Sequence, residues 1–198
     1  MYRSFFKRLI DIVLSFLGIS VLALPMLVIS IFIYIDDPGP ILFKQKRIKC
    51  KDNDELIYFN LMKFRTMKTS TPHDVPTHLL KDADSYITNV GRFLRKTSLD
   101  ELPQLFQIFV GNMSIIGPRP ALWNQEDLIL ERDKYGANDI LCGLTGWAQI
   151  NGRDELSVED KAQLDGYYKK HLSFLFDLKC FILTICKVIR RDNIVEGC

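Results

Sequence analysis

The run Leu9-Ile-Asp-Ile-Val-Leu-Ser-Phe-Leu-Gly-Ile-Ser-Val-Leu-Ala-Leu-Pro25-Met-Leu-Val-Ile-Ser-Ile-Phe-Ile-Tyr-Ile35 decides how this 198-residue chain is organised. As a straight helix rising ~1.5 Å per residue it would be roughly 40 Å long, more than a ~30 Å hydrocarbon layer needs, so it contacts a bilayer. Arg3, Lys7 and Arg8 ahead of it resemble the basic start of a secretory signal. The apolar stretch, however, exceeds the usual ~7–15 residues, and no small-x-small cleavage site follows. A spanning helix carries its basic excess on the cytoplasmic side only. Here Lys44, Lys46, Arg47, Lys49 and Lys51 follow the run as Arg3, Lys7 and Arg8 precede it, which suits a helix that enters and leaves one face better. Pro25 removes a backbone hydrogen bond and predicts a kink between arms of about 24 Å and about 15 Å. Ser20 is the hydroxyl nearest the carbonyls so freed. Asp11, one turn from Lys7 and Arg8, either pairs with them or is solvated at the headgroups.

The remainder reads as a single unit without repeats or a glycine/serine linker, so the chain divides into residues 1–36, the membrane helix, and 37–198. Its 26 basic and 24 acidic residues leave a formal charge of +2, without the single-sign excess that nucleic-acid binding by counterion release demands. Five cysteines, odd in number and free of any Cys-x-x-Cys pair, indicate neither a disulfide framework nor a zinc site. Nothing in the sequence speaks to oligomeric state.

After the turn Asp36-Asp37-Pro38-Gly39-Pro40, the β-prone runs Ile41 to Phe43 and Leu56 to Phe59 predict a hairpin around the polar stretch Lys49 to Glu55. Thr69 to Asp84 reads as a surface loop, with His73 and His78 in it as a weak metal pair. Helical periodicity returns over Asp84 to Arg95, Leu102 to Val110 and Gln125 to Tyr135. A final amphipathic, basic helix is expected from Asp177, as N-cap, through Ile189; it either covers a core or lies in the membrane interface.

Chemistry concentrates in Ser98-Leu-Asp100-Glu101-Leu-Pro103-Gln104. Ser98 and Glu101 match a capping box, in which case Asp100 merely complements a helix dipole. Pro103 favours the first helical position and would leave both acids just outside the helix, available for chemistry. Around them stand Lys63, Arg65, Arg92, Arg95, Arg119 between two prolines, and Arg153. Arginine's planar fork suits phosphate oxygens, and flanking prolines reduce the entropy lost in holding it.

Taken together these blocks resemble the bacterial sugar transferase family, the small monotopic phosphoglycosyl transferases, in its catalytic-only form. The matching elements include Phe43-x-Gln45-x-Arg47, Lys63-Phe-Arg-Thr-Met67, Gly91-Arg-Phe-Leu-Arg95, Ser98 through Phe106, Gly111-Asn-Met-Ser-Ile-Ile-Gly-Pro-Arg-Pro120, Gly143 through Arg153, and Asp165-x-Tyr167-Tyr168, in family order over nearly the whole length. The resemblance implies a mainly α fold with a small β-hairpin, anchored by a re-entrant, proline-kinked helix and interfacial amphipathic helices, with residues 37–198 as the cytosolic catalytic domain. It implies transfer of a sugar phosphate from a UDP-sugar to polyprenol (undecaprenyl) phosphate, with release of UMP, at the cytoplasmic face of a bacterial inner membrane. Asp100 would be the nucleophile, forming an aspartyl phosphosugar. Magnesium would sit at Asp100 and Glu101 would assist. Lys63, Arg95, Arg119 and Arg153 would contact the substrate, and Asp165 would support or contact it. The expected sugar is N-acetylated, in preference to galactose or glucose.

Three positions depart from the family pattern: Leu24 before Pro25 in place of serine, Ile48-Lys49 after Arg47 in place of a glycine turn, and Leu141-Cys142 ahead of Gly143 in place of Arg-Pro. The rival readings are a non-enzymatic, membrane-anchored lipid-binding module, with the acids as a cap and the cations on anionic lipid, and a single-displacement transferase or lipid-diphosphate hydrolase.

Overall fold

The structure, a computed structural model, describes residues 2–71, 83–152 and 155–190; His73, His78 and Arg153 lie outside them, as do Arg191 and Cys198. A π-helical turn, Tyr2–Phe6, leads into α1, Lys7–Asp36, which continues through Pro25. A two-stranded antiparallel sheet follows, β1 (Leu42–Asp52) and β2 (Glu55–Phe64). Then come α2 (Asn89–Thr97), a 3₁₀ turn Leu99–Glu101 and α3 (Gln104–Val110). The short strands β3 (Ser114–Ile116) and β4 (Gly143–Thr145) pair in parallel, with α4 (Glu126–Lys134) between them in sequence. Helices α5 (Trp147–Ile150), α6 (Val158–Lys170) and α7 (Phe174–Arg190) close the described chain. The fold is therefore mostly helical with a small hairpin.

The hairpin is longer than the β-prone runs predict. Asn53 and Asp54 both adopt positive φ, 46° and 63°, the backbone that a two-residue hairpin loop requires and that short Asx side chains tolerate. The polar residues on either side of them are strand, not loop. Thr88, extended at φ −72° and ψ 161°, breaks the helix expected over Asp84 to Arg95; its hydroxyl accepts from the Gly91 amide, so α2 starts afresh. The short parallel pair β3/β4 has no counterpart in the sequence reading.

Helix α1 packs along one stripe. Asp11, Ser15, Gly18, Leu22, Met26, Ile29 and Ile33 recur at spacings of four and three and meet the body on both sides of Pro25. Gly18 lies against Leu105, while Met26 and Ile33 cluster with Phe64 and Leu94. Both ends are fastened: Arg8 donates to the carbonyls of Ile108 and Phe109, both at 2.6 Å, and at the other end Asp36 accepts from the Val90 amide at 2.9 Å and Asp37 holds Arg65. Around the rest of the helix apolar side chains stand exposed, Val21 at 74% and Leu24 at 69%, a surface that lipid and not water would suit.

Two expectations for α1 are corrected. Asp11 neither pairs with Lys7 nor sits in solvent; it is buried and accepts from the Ile115 amide of β3 at 2.9 Å, a donor that only the fold supplies. Ser20 donates to the Phe16 carbonyl one turn back, the ordinary partner of a helical serine, so it does not serve the proline.

Helix α7 begins three residues before Asp177, which is buried inside it. Its carboxylate accepts from Tyr2 at 2.7 Å, Lys7 at 2.8 Å and Tyr168 at 2.6 Å, tying the chain's start to α6 and α7. Phe176, Cys180 and Leu183 face the core, and Leu175, Ile182 and Ile185 are exposed, so the helix both covers the core and presents a second apolar surface. Among the described residues Cys50, Cys142, Cys180 and Cys186 are free thiols.

Gly91 shows how tightly the site's frame is set. A Cβ there would come 2.1 Å from the Thr66 carbonyl oxygen, which already accepts the Thr88 amide. Gly91→Ala is expected to cost about 1–3 kcal/mol in thermal unfolding, since neither side of the clash is a flexible chain end.

Candidate active site

Along a strand alternate residues share a face, and the β1/β2 register sets Phe43, Gln45 and Arg47 opposite Lys63, Leu61 and Phe59. One face of the hairpin thus presents Arg47, Leu61 and Lys63 to a cleft completed by Glu101, Gln104 and Arg119. Gln107, buried on α3, holds the hairpin at that distance. Its Oε1 accepts the Met62 amide at 3.0 Å and its Nε2 donates to the Asn60 carbonyl at 2.6 Å, occupying the outer edge of β2. Helix α3 is thereby fastened to β2, and the acids just before α3 meet the lysine at its end.

Lys63 Nζ lies 2.8 Å from Glu101 Oε1 and 3.7 Å from Asp100 Oδ2; Arg119 approaches the same Glu101 oxygen at 3.6 Å. Ser98 adopts the left-handed conformation, φ 55°, and its side chain caps nothing. The capping box therefore does not form, and Glu101 spends its carboxylate on cations. Pro103 stands immediately before α3, so both acids fall on the preceding 3₁₀ turn, outside the helix.

Burial raises the Asp100 carboxyl above its ordinary 3.8; Lys63 opposes that rise, the Glu101 charge adds to it, and Arg95 opposes it. Arg95 is aimed by Thr66, whose hydroxyl accepts from its Nε at 2.9 Å. The sequence's Lys63, Arg95, Asp100, Glu101 and Arg119 thus converge on one region, although they come from β2, α2, the 3₁₀ turn and the loop after β3.

Asp165 does not join them. It is 1% exposed on α6 and paired with Arg132 of α4 through contacts of 2.6 and 2.9 Å. Asp165 is therefore not placed for direct substrate contact: its carboxylate is buried against Arg132 and does not line the cleft. Arg132 in turn donates to the Arg119 carbonyl at 3.0 Å, while Arg47 donates to the Pro120 carbonyl at 3.0 Å from the other side. Two successive carbonyls of Gly117-Pro118-Arg119-Pro120 are pinned, and this presents the Arg119 side chain. Gly117 makes the approach of β4 possible: a Cβ there would meet the Leu141 carbonyl at 2.5 Å.

Sequence reasoning did not put Arg47, Gln104 or Gln107 in the site. For Arg47 a signal existed: Phe43-x-Gln45-x-Arg47 has the two-residue period of a strand face. The departures at Ile48-Lys49 and Cys142 prove to be neighbours. The sheet register slips between Ile48 and Cys50, and the Lys49 carbonyl so turned outward accepts the Cys142 amide at 3.0 Å.

Among the described residues no group of three or more His, Cys, Asp or Glu could enclose a metal ion. Asp100 and Glu101 offer adjacent hard oxygens, a donor set that fits magnesium, which binds through one or two carboxylates together with substrate phosphates.

Residues 2–191 match the bacterial sugar transferase family. An uncharacterised sugar transferase of Bacillus subtilis, EpsL, is 36% identical over 190 residues, 96% of this chain and 90% of that protein. The UDP-glucose:undecaprenyl-phosphate glucose-1-phosphate transferase of Escherichia coli is 36% identical over 188 residues, 91% of this chain but 39% of that protein. A UDP-N-acetylgalactosamine-undecaprenyl-phosphate N-acetylgalactosaminephosphotransferase of Aeromonas hydrophila is 33% identical over 196 residues, 94% of this chain and 43% of that protein. The chain thus spans nine tenths of the first relative and about two fifths of the other two.

Proposed function

This chain belongs to the bacterial sugar transferase family, and from that premise we propose that it moves a sugar phosphate from a UDP-sugar to undecaprenyl phosphate, releasing UMP, as the first membrane step of glycoconjugate assembly. The observation that carries the reading is the use of Glu101: the residue a helix cap would consume is turned to Lys63 and Arg119, with Asp100 on the same lysine.

In this mechanism an Asp100 oxygen attacks the sugar-bearing phosphorus. The Oδ–P bond forms as the bridging P–O bond of the diphosphate breaks, and the electron pair leaves on UMP. The oxygen of undecaprenyl phosphate then attacks the aspartyl phosphosugar at phosphorus and returns the carboxylate. Lys63 keeps both acids oriented and meets the incoming phosphates, Arg95 and Arg119 flank them, and Arg153 is proposed as a further contact. Asp165 acts through Arg132 on the loop that carries Arg119. Magnesium would be held by Asp100 with Glu101 beside it, and when bound supplies charge neutralisation to the diphosphate.

A re-entrant course for α1, bent at Pro25, is supported by the fastening of both its ends to one body, which a helix emerging on the opposite leaflet could not share. The exposed apolar faces of α1 and α7 then enter the cytoplasmic leaflet of a bacterial inner membrane, where soluble donor and lipid acceptor meet.

The test is a panel of UDP-sugars, glucose, galactose and N-acetylated sugars among them, incubated with the detergent-solubilised chain with and without undecaprenyl phosphate. UMP release that depends on the acceptor is expected from at least one donor. Without acceptor the peptide containing Asp100 should gain the mass of the sugar phosphate, whereas release from none overturns the proposal. Because ionised Asp100 attacks, activity falls as pH drops through its raised pKa. Lys63→Met removes the largest influence that lowers that pKa, so the acid limb of kcat/KM should move to higher pH; an unmoved limb counts against Asp100 as the titrating group.

A further inference from the structure

Arg47 is the cation of the cleft that the mechanism above leaves without a task. Among the described residues that line the cleft are Arg47, Lys63 and Arg119, with Glu101 the one carboxylate beside them. The contacts run in order away from Asp100, first to Lys63, then Glu101, then Arg119. Arg47 stands at the far end of that series, bonded to the carbonyl of Pro120, the residue after Arg119, and oriented by Gln45, whose Oε1 accepts from its Nη2 at 2.6 Å. Its Nε is buried without a hydrogen-bond partner. Burial and the neighbouring Arg119 charge pull its guanidinium down to about 10, and Glu101 only partly offsets them. Two guanidinium groups that line one cleft and feel each other's charge, one with an unspent donor, form a place that an anion would complete.

We infer that Arg47 and Arg119 form a subsite for the phosphate of the departing nucleoside monophosphate. The inference rests on the transferase reading and adds a direction to it: the diphosphate lies along the contact series, its sugar-bearing phosphorus at Asp100 and its nucleoside phosphate between the two arginines. As the bridging P–O bond breaks, its electron pair stays on the nucleoside-side oxygen, and the charge developing there meets two fixed guanidinium forks.

The experiment compares wild type with Arg47→Met and Arg47→Lys as detergent-solubilised full chains, measuring product inhibition by UMP and inhibition by uridine, which lacks the phosphate. Arg47→Met should raise the inhibition constant of UMP at least tenfold, change that of uridine less than twofold, and lower kcat. Arg47→Lys keeps a cation but loses the fork, and should raise the UMP constant by a smaller factor; it keeps the test in hand where methionine impairs folding. Arg47 also holds Pro120, and a purely structural role would weaken UMP and uridine alike. Parallel weakening, or an unchanged UMP constant, while wild type still releases UMP, overturns the subsite and leaves the transferase reading intact. A wild type that releases UMP from no UDP-sugar removes that reading, and this inference with it.

Discussion

Asp100→Asn is expected to lower UMP release from a competent UDP-sugar by at least roughly three orders of magnitude while leaving the protein as stable as wild type or slightly more so. The two halves of that result follow from one feature. The carboxylate is partly buried, and burial raises its pKa, so the folded state binds a proton more readily than the unfolded state. Between the ordinary 3.8 and the raised value, stability falls as pH rises. Above that window the ionised form carries a desolvation cost that Lys63 and Arg95 offset in part. Asparagine keeps the shape and removes the charge, so this cost disappears together with the nucleophile. A group retained for stability behaves in the opposite way. Activity within tenfold of wild type, measured on protein with an unchanged unfolding midpoint, would falsify the assignment of Asp100 as nucleophile.

The second large effect is on stability. Arg132 is 5% exposed and Asp165 1%, and their pair stitches α4 to α6. Arg132→Met should destabilise by roughly 3–5 kcal/mol, because it leaves the Asp165 carboxylate buried without its cation, and should lower the unfolding midpoint by about 10 °C. Adding Asp165→Leu removes the orphaned charge, so the double variant should regain most of that stability. Activity should stay low in both, because the bond from Arg132 to the Arg119 carbonyl is missing in both. Recovery of activity together with stability would show that the pair serves packing alone and does not position Arg119.

The membrane helix was legible because the bilayer imposes length and composition on contiguous sequence. The acids were legible because Pro103 marks where α3 starts, so Asp100 and Glu101 had to lie before it. The hairpin was read too short: the turn is confined to Asn53 and Asp54, and the polar residues on either side pair across the sheet, Lys51 with Leu56 and Asp52 with Glu55, through backbone groups that side-chain type does not announce. Asp11 and Asp177 were read as residues of a helix surface and a helix end. Each is instead buried against groups more than a hundred residues away in sequence, namely the Ile115 amide for Asp11, and Tyr2 and Lys7 for Asp177.

By itself, then, the order of residues determined which chemical groups are present, that one segment prefers lipid, and that a proline places two acids ahead of a helix, because these depend on neighbours along the chain. Tertiary structure alone decided which cations face those acids, that Asp165 is buried against Arg132 outside the cleft, and that Arg47 shares the cleft. Charge interactions act through distance, and only the packing of α3 on β2 and the pinning of the Arg119 loop fix those distances.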